Sequence, residues 1–203
     1  GNSLMRLRRY QDAVTVYAHG LRDPLYGCRG AVLANLGAKA KLDLILKADP
    51  ESVQALITLA HILSDEGKKE DVIALSKRTL AVDDKNTQAY TLIGEVYMGD
   101  EKYAEALPYL EKSVEIQPKI ARSRLNLAAC LMKVQQFERA ESELKRILRE
   151  SPKFPLSHFN LGLLYEEQGK VEEARAAYAA EVAVYPKEYK ARFNLGKLLF
   201  KLG

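Results

Sequence analysis

Apolar residues recur along this chain at the i, i+3, i+4, i+7 spacing of an amphipathic helix, and the recurrence is itself periodic. Pro50, Asp84, Pro118, Pro152 and Pro186 stand 34 residues apart. Proline donates no N–H and disfavours helix at the residue before it, so the four prolines are expected to close helices, and Asp84 to mark the same point by its place in the period. Between successive breakers there is room for two apolar stripes, which predicts two antiparallel helices per 34-residue unit.

The unit is written most fully in residues 155–188, where His158, Leu161, Gly162, Tyr165, Ala174, Tyr178 and Pro186 follow one another. This spacing resembles the tetratricopeptide repeat family. The resemblance implies an all-α fold, a solenoid of antiparallel helix hairpins forming a right-handed superhelix, and a binding scaffold as its class of function. The physical reason for repetition is that two helices of about a dozen residues cannot bury their stripes alone and must stack on the next pair. Gly162 and Ala174 fall where paired helices cross, and a larger side chain there would push the axes beyond their usual separation of roughly 8–10 Å.

On this reading residues 1–203 are one array of about eleven helices, joined by turns of two to four residues. It comprises a partial repeat 1–24, a shortened irregular repeat 25–52, full repeats 53–86, 87–120, 121–154 and 155–188, and a truncated or capping helix 189–203. In the partial repeat, Ala13 and Tyr17 match the Ala and aromatic positions of a second helix, and Pro24 closes it one residue early. The irregular repeat predicts helices at Tyr26–Leu36 and Ala38–Ala48. Its Gly27-Cys28-Arg29-Gly30 run is read as a kinked or tightly packed helix start, with close approach to a ligand as the other reading. The last helix, Tyr189–Leu202, repeats the Leu195-Gly196 signature and is expected to leave Leu195, Leu198, Leu199 and Phe200 uncovered, a surface for self-association. Glu181 and Arg192, both out of pattern, are expected to pair across the hairpin at Pro186.

Composition narrows the function classes. With 203 residues, 47% hydrophobic content and 29% charge spread finely, the chain reads as folded and soluble. No apolar run approaches the roughly 18 residues of a membrane span. The net charge of +4 is concentrated in residues 1–50, which hold eight Lys or Arg against four Asp or Glu; the other 153 residues balance at 23 against 23. The basic groups cluster at Arg6, Arg8 and Arg9 and again at Lys190, Arg192, Lys197 and Lys201. Two separated ends do not make the continuous basic stripe of a nucleic-acid footprint, so no nucleic-acid partner is expected.

Chemistry is sparse. His19, His61 and His158 lie in separate repeats, and Cys28 and Cys130 are far apart, so neither a metal site nor a cofactor is expected. Cys130 follows Ala128 and Ala129 and reads as a small buried apolar residue. Two thiols without a framework favour a reducing compartment such as the cytoplasm, with a periplasmic location open for a longer exported chain. Adjacent carboxylates such as Glu166 and Glu167 point differently on a helix and make no acid–base pair, so the chain is not expected to be an enzyme.

The candidate site is the far side of each first helix. At 100° per residue, repeat positions 2, 5, 6, 9 and 12 lie opposite the packing stripe. They carry Ile57, Thr58 and His61; Thr91, Leu92, Glu95 and Met98; Arg122, Leu125, Asn126 and Met132; Phe159, Asn160, Leu163 and Glu166; and Lys190, Phe193, Asn194 and Lys197. Asn recurs at 126, 160 and 194. In the family that this chain resembles, first helices line the concave wall, and some members bond a peptide backbone through an asparagine ladder. The expectation is therefore a groove for an extended, uncharged or mildly apolar segment, with Asn126, Asn160 and Asn194 on its backbone and Leu125, Phe159, Leu163 and Phe193 on its side chains; consensus preference for Asn at this position is the other reading. The family's carboxylate clamp does not fit, because Ile57, Leu125 and Phe159 stand where it needs polar groups. An alternative function is a non-catalytic, substrate-recruiting region of a larger enzyme, since Tyr178 to Leu199 resembles repeats appended to bacterial sulfatase-type enzymes.

Overall fold

The computed structural model describes residues 27–202, which form ten α-helices and no strand among the described residues. They are α1 (Gly27–Ala48), α2 (Val53–Asp65), α3 (Lys69–Val82), α4 (Thr87–Gly99), α5 (Tyr103–Ile116), α6 (Ala121–Lys133), α7 (Phe137–Glu150), α8 (Ser157–Glu167), α9 (Val171–Val184) and α10 (Tyr189–Leu202). Each helix packs on the next in sequence, which makes a stack of hairpins. Every breaker of the 34-residue series falls two residues after a helix end, Pro50 after α1 and Pro186 after α9. The expected partial repeat 1–24 lies outside the described residues.

A second 34-residue series sets the turns inside hairpins. Gly67, Glu101, Gln135 and Gly169 all have positive φ, between 60° and 74°. Each turn closes with a six-residue backbone bond: Lys68 N–H to the Leu63 carbonyl, Lys102 to Tyr97, Gln136 to Leu131 and Lys170 to Tyr165, at 2.8–2.9 Å. This is the Schellman arrangement, in which a left-handed residue satisfies carbonyls that the helix end leaves open.

The core runs along the stack in two buried clusters, one from Leu42 to Val96 and one from Ala106 to Leu198. Leu56, Leu110, Leu131 and Leu144 are fully buried, each contributing about 1.5–3 kcal/mol of hydrophobic stabilisation. A layer of hydroxyls interrupts the apolar packing between α4, α5 and α6. Thr91 and Ser113 lie 2.9 Å apart, Ser113 donates to Ser123 at 3.1 Å, and Thr87 donates to the Gln117 side chain at 3.1 Å. Buried Arg124 extends from α6 to Glu143 of α7 and donates to the Pro118 carbonyl.

Four expectations change. The two short helices predicted for the irregular repeat are one 22-residue helix, α1. Gly37, where the turn was expected, costs a helix about 1 kcal/mol, and no proline or cap accompanies it to stop the flanking Ala, Leu and Lys residues. The connection between α7 and α8 has six residues, 151–156, because Pro155 and the left-handed Leu156 (φ 64°) delay the start of α8. Leu198 is buried at 4% exposure and Leu195 packs on the core; Leu199 and Phe200 are exposed as expected, and Tyr189 and Phe193 are exposed with them on α10. Glu181 and Arg192 do not pair: Arg192 is exposed, while Glu181 is 1% exposed and accepts the backbone N–H groups of Leu156 at 2.9 Å and Phe159 at 3.2 Å.

Candidate partner-binding wall

First helices of neighbouring repeats touch one another, α2 with α4, α4 with α6 and α6 with α8, so they form the inner side of the stack. This contact buries part of the stripe expected to face a partner. Ile57, Leu92 and Met132 are buried, because the next helix covers the flanks of positions 5, 6 and 12. Leu125, Phe159 and Leu163 are half-buried against the core, and the Phe159 ring lies tilted on Tyr178 with centroids 5.8 Å apart. His61, Arg122, Lys190 and Phe193 are exposed.

The polar residues of the stripe fall into two groups that bridge repeats. In the first, Asn126 donates to Glu95 Oε1 at 2.7 Å and the Arg122 guanidinium lies 3.6 Å from the same oxygen. In the second, Tyr178 donates its hydroxyl to Glu166 Oε2 at 2.8 Å, Lys197 meets Glu166 Oε1 at 2.9 Å, and Asn194 donates to the Tyr178 hydroxyl at 3.5 Å. Burial, reinforced by the bond to Glu166, pushes the Tyr178 phenol well above its ordinary value, so it remains a neutral donor. Asn160 differs: its amide donates to the Leu156 carbonyl of its own helix entrance at 2.7 Å.

The three recurring amides thus share a face, yet each has a bond within the chain. Periodicity gives Tyr178 only a packing role and misses its hydroxyl. The signal available was a tyrosine where α5 and α7 place Leu110 and Leu144. Glu166, a carboxylate of the stripe, is the acceptor at the centre of the second group. Among the described residues no cluster of three or more His, Cys, Asp or Glu could hold a metal ion, and no helix is long and apolar enough to cross a membrane.

Comparison with known proteins adds the decisive observation. Tetratricopeptide repeat profiles match residues 97–158 and 159–203. The chain belongs to the tetratricopeptide repeat family. Among solved structures, a thermophilic tetratricopeptide protein from Thermus thermophilus is 22% identical, over 94% of this chain and 99% of that one, with a TM-score of 0.66. PilW, described as a widely conserved type IV pilus biogenesis factor, is 20% identical over 89% of this chain and 85% of its own, with a TM-score of 0.74. MamA is 22% identical over 77% and 91%, with a TM-score of 0.68. At these identities the likeness is one of fold. No curated protein sequence matches the chain. Tetratricopeptide arrays are protein-interaction scaffolds, and that is the general function to which this solenoid belongs.

Proposed function

We propose that the inner wall of this tetratricopeptide array binds an extended segment of a partner protein across α6, α8 and α10. The observation that carries the reading is the recurrence of Asn126, Asn160 and Asn194 at one repeat position, beside half-buried Leu125, Phe159 and Leu163 and exposed Phe193. A side-chain amide has two N–H donors and a carbonyl acceptor. One bond each within the chain leaves these residues capacity for a peptide backbone. Stepping one repeat at a time, they would follow a strand that has no helix of its own, and the apolar neighbours would meet its side chains. Arg122, Lys190 and Lys197, together with Glu95 and His61, rim the wall and would set preferences for charge.

The test is a peptide-array or pull-down screen on the wild-type protein, repeated with N126A/N160A/N194A. Loss of three hydrogen bonds at about 0.5–1.5 kcal/mol each should weaken binding roughly ten- to a thousand-fold. Because Asn126 and Asn194 also bridge repeats, the melting curve must accompany it, and N160A alone separates the effects, since its bond is local to α8. Unchanged binding by the triple variant would reduce the ladder to a consensus feature.

A further inference from the structure

A cavity of about 130 Å³ lies between the turn that follows α2 and the face of α4. Buried Val72 and Val96 are among the residues that line it, together with Gly67, Lys69, Glu95 and Gly99. The space exists because of the residues that stand at this junction. Gly67, Lys69 and Gly99 give way one repeat later to Glu101, Tyr103 and Lys133, and two repeats later to Gln135, Phe137 and Glu167. Tyr103 and Phe137 pack against the core, whereas Lys69 turns its ammonium to Asp100. Gly67 answers a backbone requirement, a φ of 74°. Gly99 answers neither backbone nor packing: its φ is not positive, and a Cβ on it would meet nothing within 4 Å.

Glu95 belongs to this cavity and to the inner wall at once. Its counterparts one and two repeats later are Ala129 and Leu163, which carry no charge. Glu95 Oε1 accepts from Asn126 at 2.7 Å and lies 3.6 Å from the Arg122 guanidinium, while Oε2 has no hydrogen bond or ion pair among the described residues. The Lys69 charge is already met by Asp100. An open carboxylate oxygen beside two apolar walls suits a group with a cationic head and an aliphatic stem. The volume is near the roughly 150 Å³ in which an engineered cavity holds benzene, so a lysine side chain fits.

We infer that this cavity receives a lysine side chain of the partner segment, with the ammonium donating to Glu95 Oε2 and the methylenes lying against Val72 and Val96. The subsite rests on the inner wall being the binding surface, and it makes basic the residue of the segment that reaches α4.

Proton–nitrogen correlation NMR reads the cavity through the amides of Gly67 and Gly99. The probe is N-acetyl-lysinamide, with N-acetyl-norleucinamide as its uncharged counterpart. Lysinamide should shift both glycine signals and bind roughly tenfold more tightly than norleucinamide. Glu95→Gln, which keeps an acceptor for Asn126, should erase that preference. Gly99→Leu, whose side chain enters unoccupied space, should abolish the Gly67 shift while the circular dichroism spectrum holds. On the peptide array, segments bound by the wild-type protein should be enriched in lysine, and Glu95→Gln should lose the enrichment. Equal shifts with the two amides, or a lysine preference that survives Glu95→Gln, would overturn the subsite and leave the wall standing. Lysinamide shifts beside a silent array would keep the lysine site and remove the strand proposed across α6, α8 and α10.

Discussion

Glu181 holds the backbone N–H of Leu156 at 2.9 Å, reaching from α9 to the entrance of α8 in the same hairpin. Pro155 and the left-handed Leu156 shorten α8, so its first amides have no residue of their own at the N-cap to accept them. A carboxylate from the paired helix takes that place and accepts from Phe159 as well. Glu181→Ala should lower unfolding free energy by about 2–3 kcal/mol, since two amides lose their acceptor. Glu181→Gln, which keeps one oxygen, should cost about half of that, and Arg192→Ala should stay within about 0.5 kcal/mol. Urea titration of the three variants checks the order; equal losses for Glu181→Ala and Arg192→Ala would restore the pairing expected from the sequence.

The left-handed turn residues predict opposite signs at equivalent sites. Glu101 and Gln135 adopt a conformation that costs an L-residue roughly 1–2 kcal/mol, while Gly67 and Gly169 adopt it freely. Glu101→Gly and Gln135→Gly should each raise stability by about 0.5–1 kcal/mol, and Gly67→Ala and Gly169→Ala should each lower it by about 1 kcal/mol. Differential scanning calorimetry of the four single variants reads both directions.

Arg124 is 1% exposed and its charge is met by Glu143 and the Pro118 carbonyl. Removing the carboxylate leaves a buried cation without its counter-charge. Glu143→Ala should therefore cost up to about 3–5 kcal/mol, whereas exchanging both partners for apolar residues of similar volume should cost much less. A double-mutant cycle with Arg124→Met measures the coupling.

Cys130 is buried and its thiol donates to the Tyr103 carbonyl at 3.3 Å. Burial, with a smaller contribution from Glu111, pushes the thiol up to about 11. The thiolate is the nucleophile, so at about pH 8 the folded protein should leave Cys130 unalkylated by iodoacetamide while unfolded chain reacts fully. Peptide mass spectrometry at Cys130 before and after denaturant gives the comparison.

The features legible in the sequence are those set by period and by backbone chemistry. Pro50 to Pro186 placed the ends of the second helices, and Gly162 marked a close crossing, which the Tyr178 ring occupies. Less legible was anything decided by reach across a turn. A helical wheel puts Ile57 and Leu92 opposite the packing stripe, yet neighbouring first helices approach closely enough to bury them. Glu181 and Arg192 were both out of pattern and near one hairpin, but the open amides of α8 offered the carboxylate more than an exposed guanidinium did. The candidate wall was found in outline, with its face and its recurring asparagines; its bonds from Asn126 to Glu95 and from Tyr178 to Glu166 depend on side-chain length and rotamer, which periodicity does not encode.

The hydroxyl layer between α5 and α6 does not by itself explain how near-identical units find their proper order. Ser113 meets Ser123 there, while the same two repeat positions carry Thr79 and Ala89 one junction earlier, Ile147 and Ser157 one junction later, and Glu181 and Ala191 at the last. A chain of interchangeable hairpins can skip a unit and still bury its leucines, a failure to which repeat proteins are prone. Skipping one unit would set Ser113 against Ser157 and Ile147 against Ala191, hydroxyl on hydroxyl and apolar on apolar, so these positions alone would not reject it. Proper order falls instead to features particular to one unit, such as the capping of α8 by Glu181 of the helix that follows it.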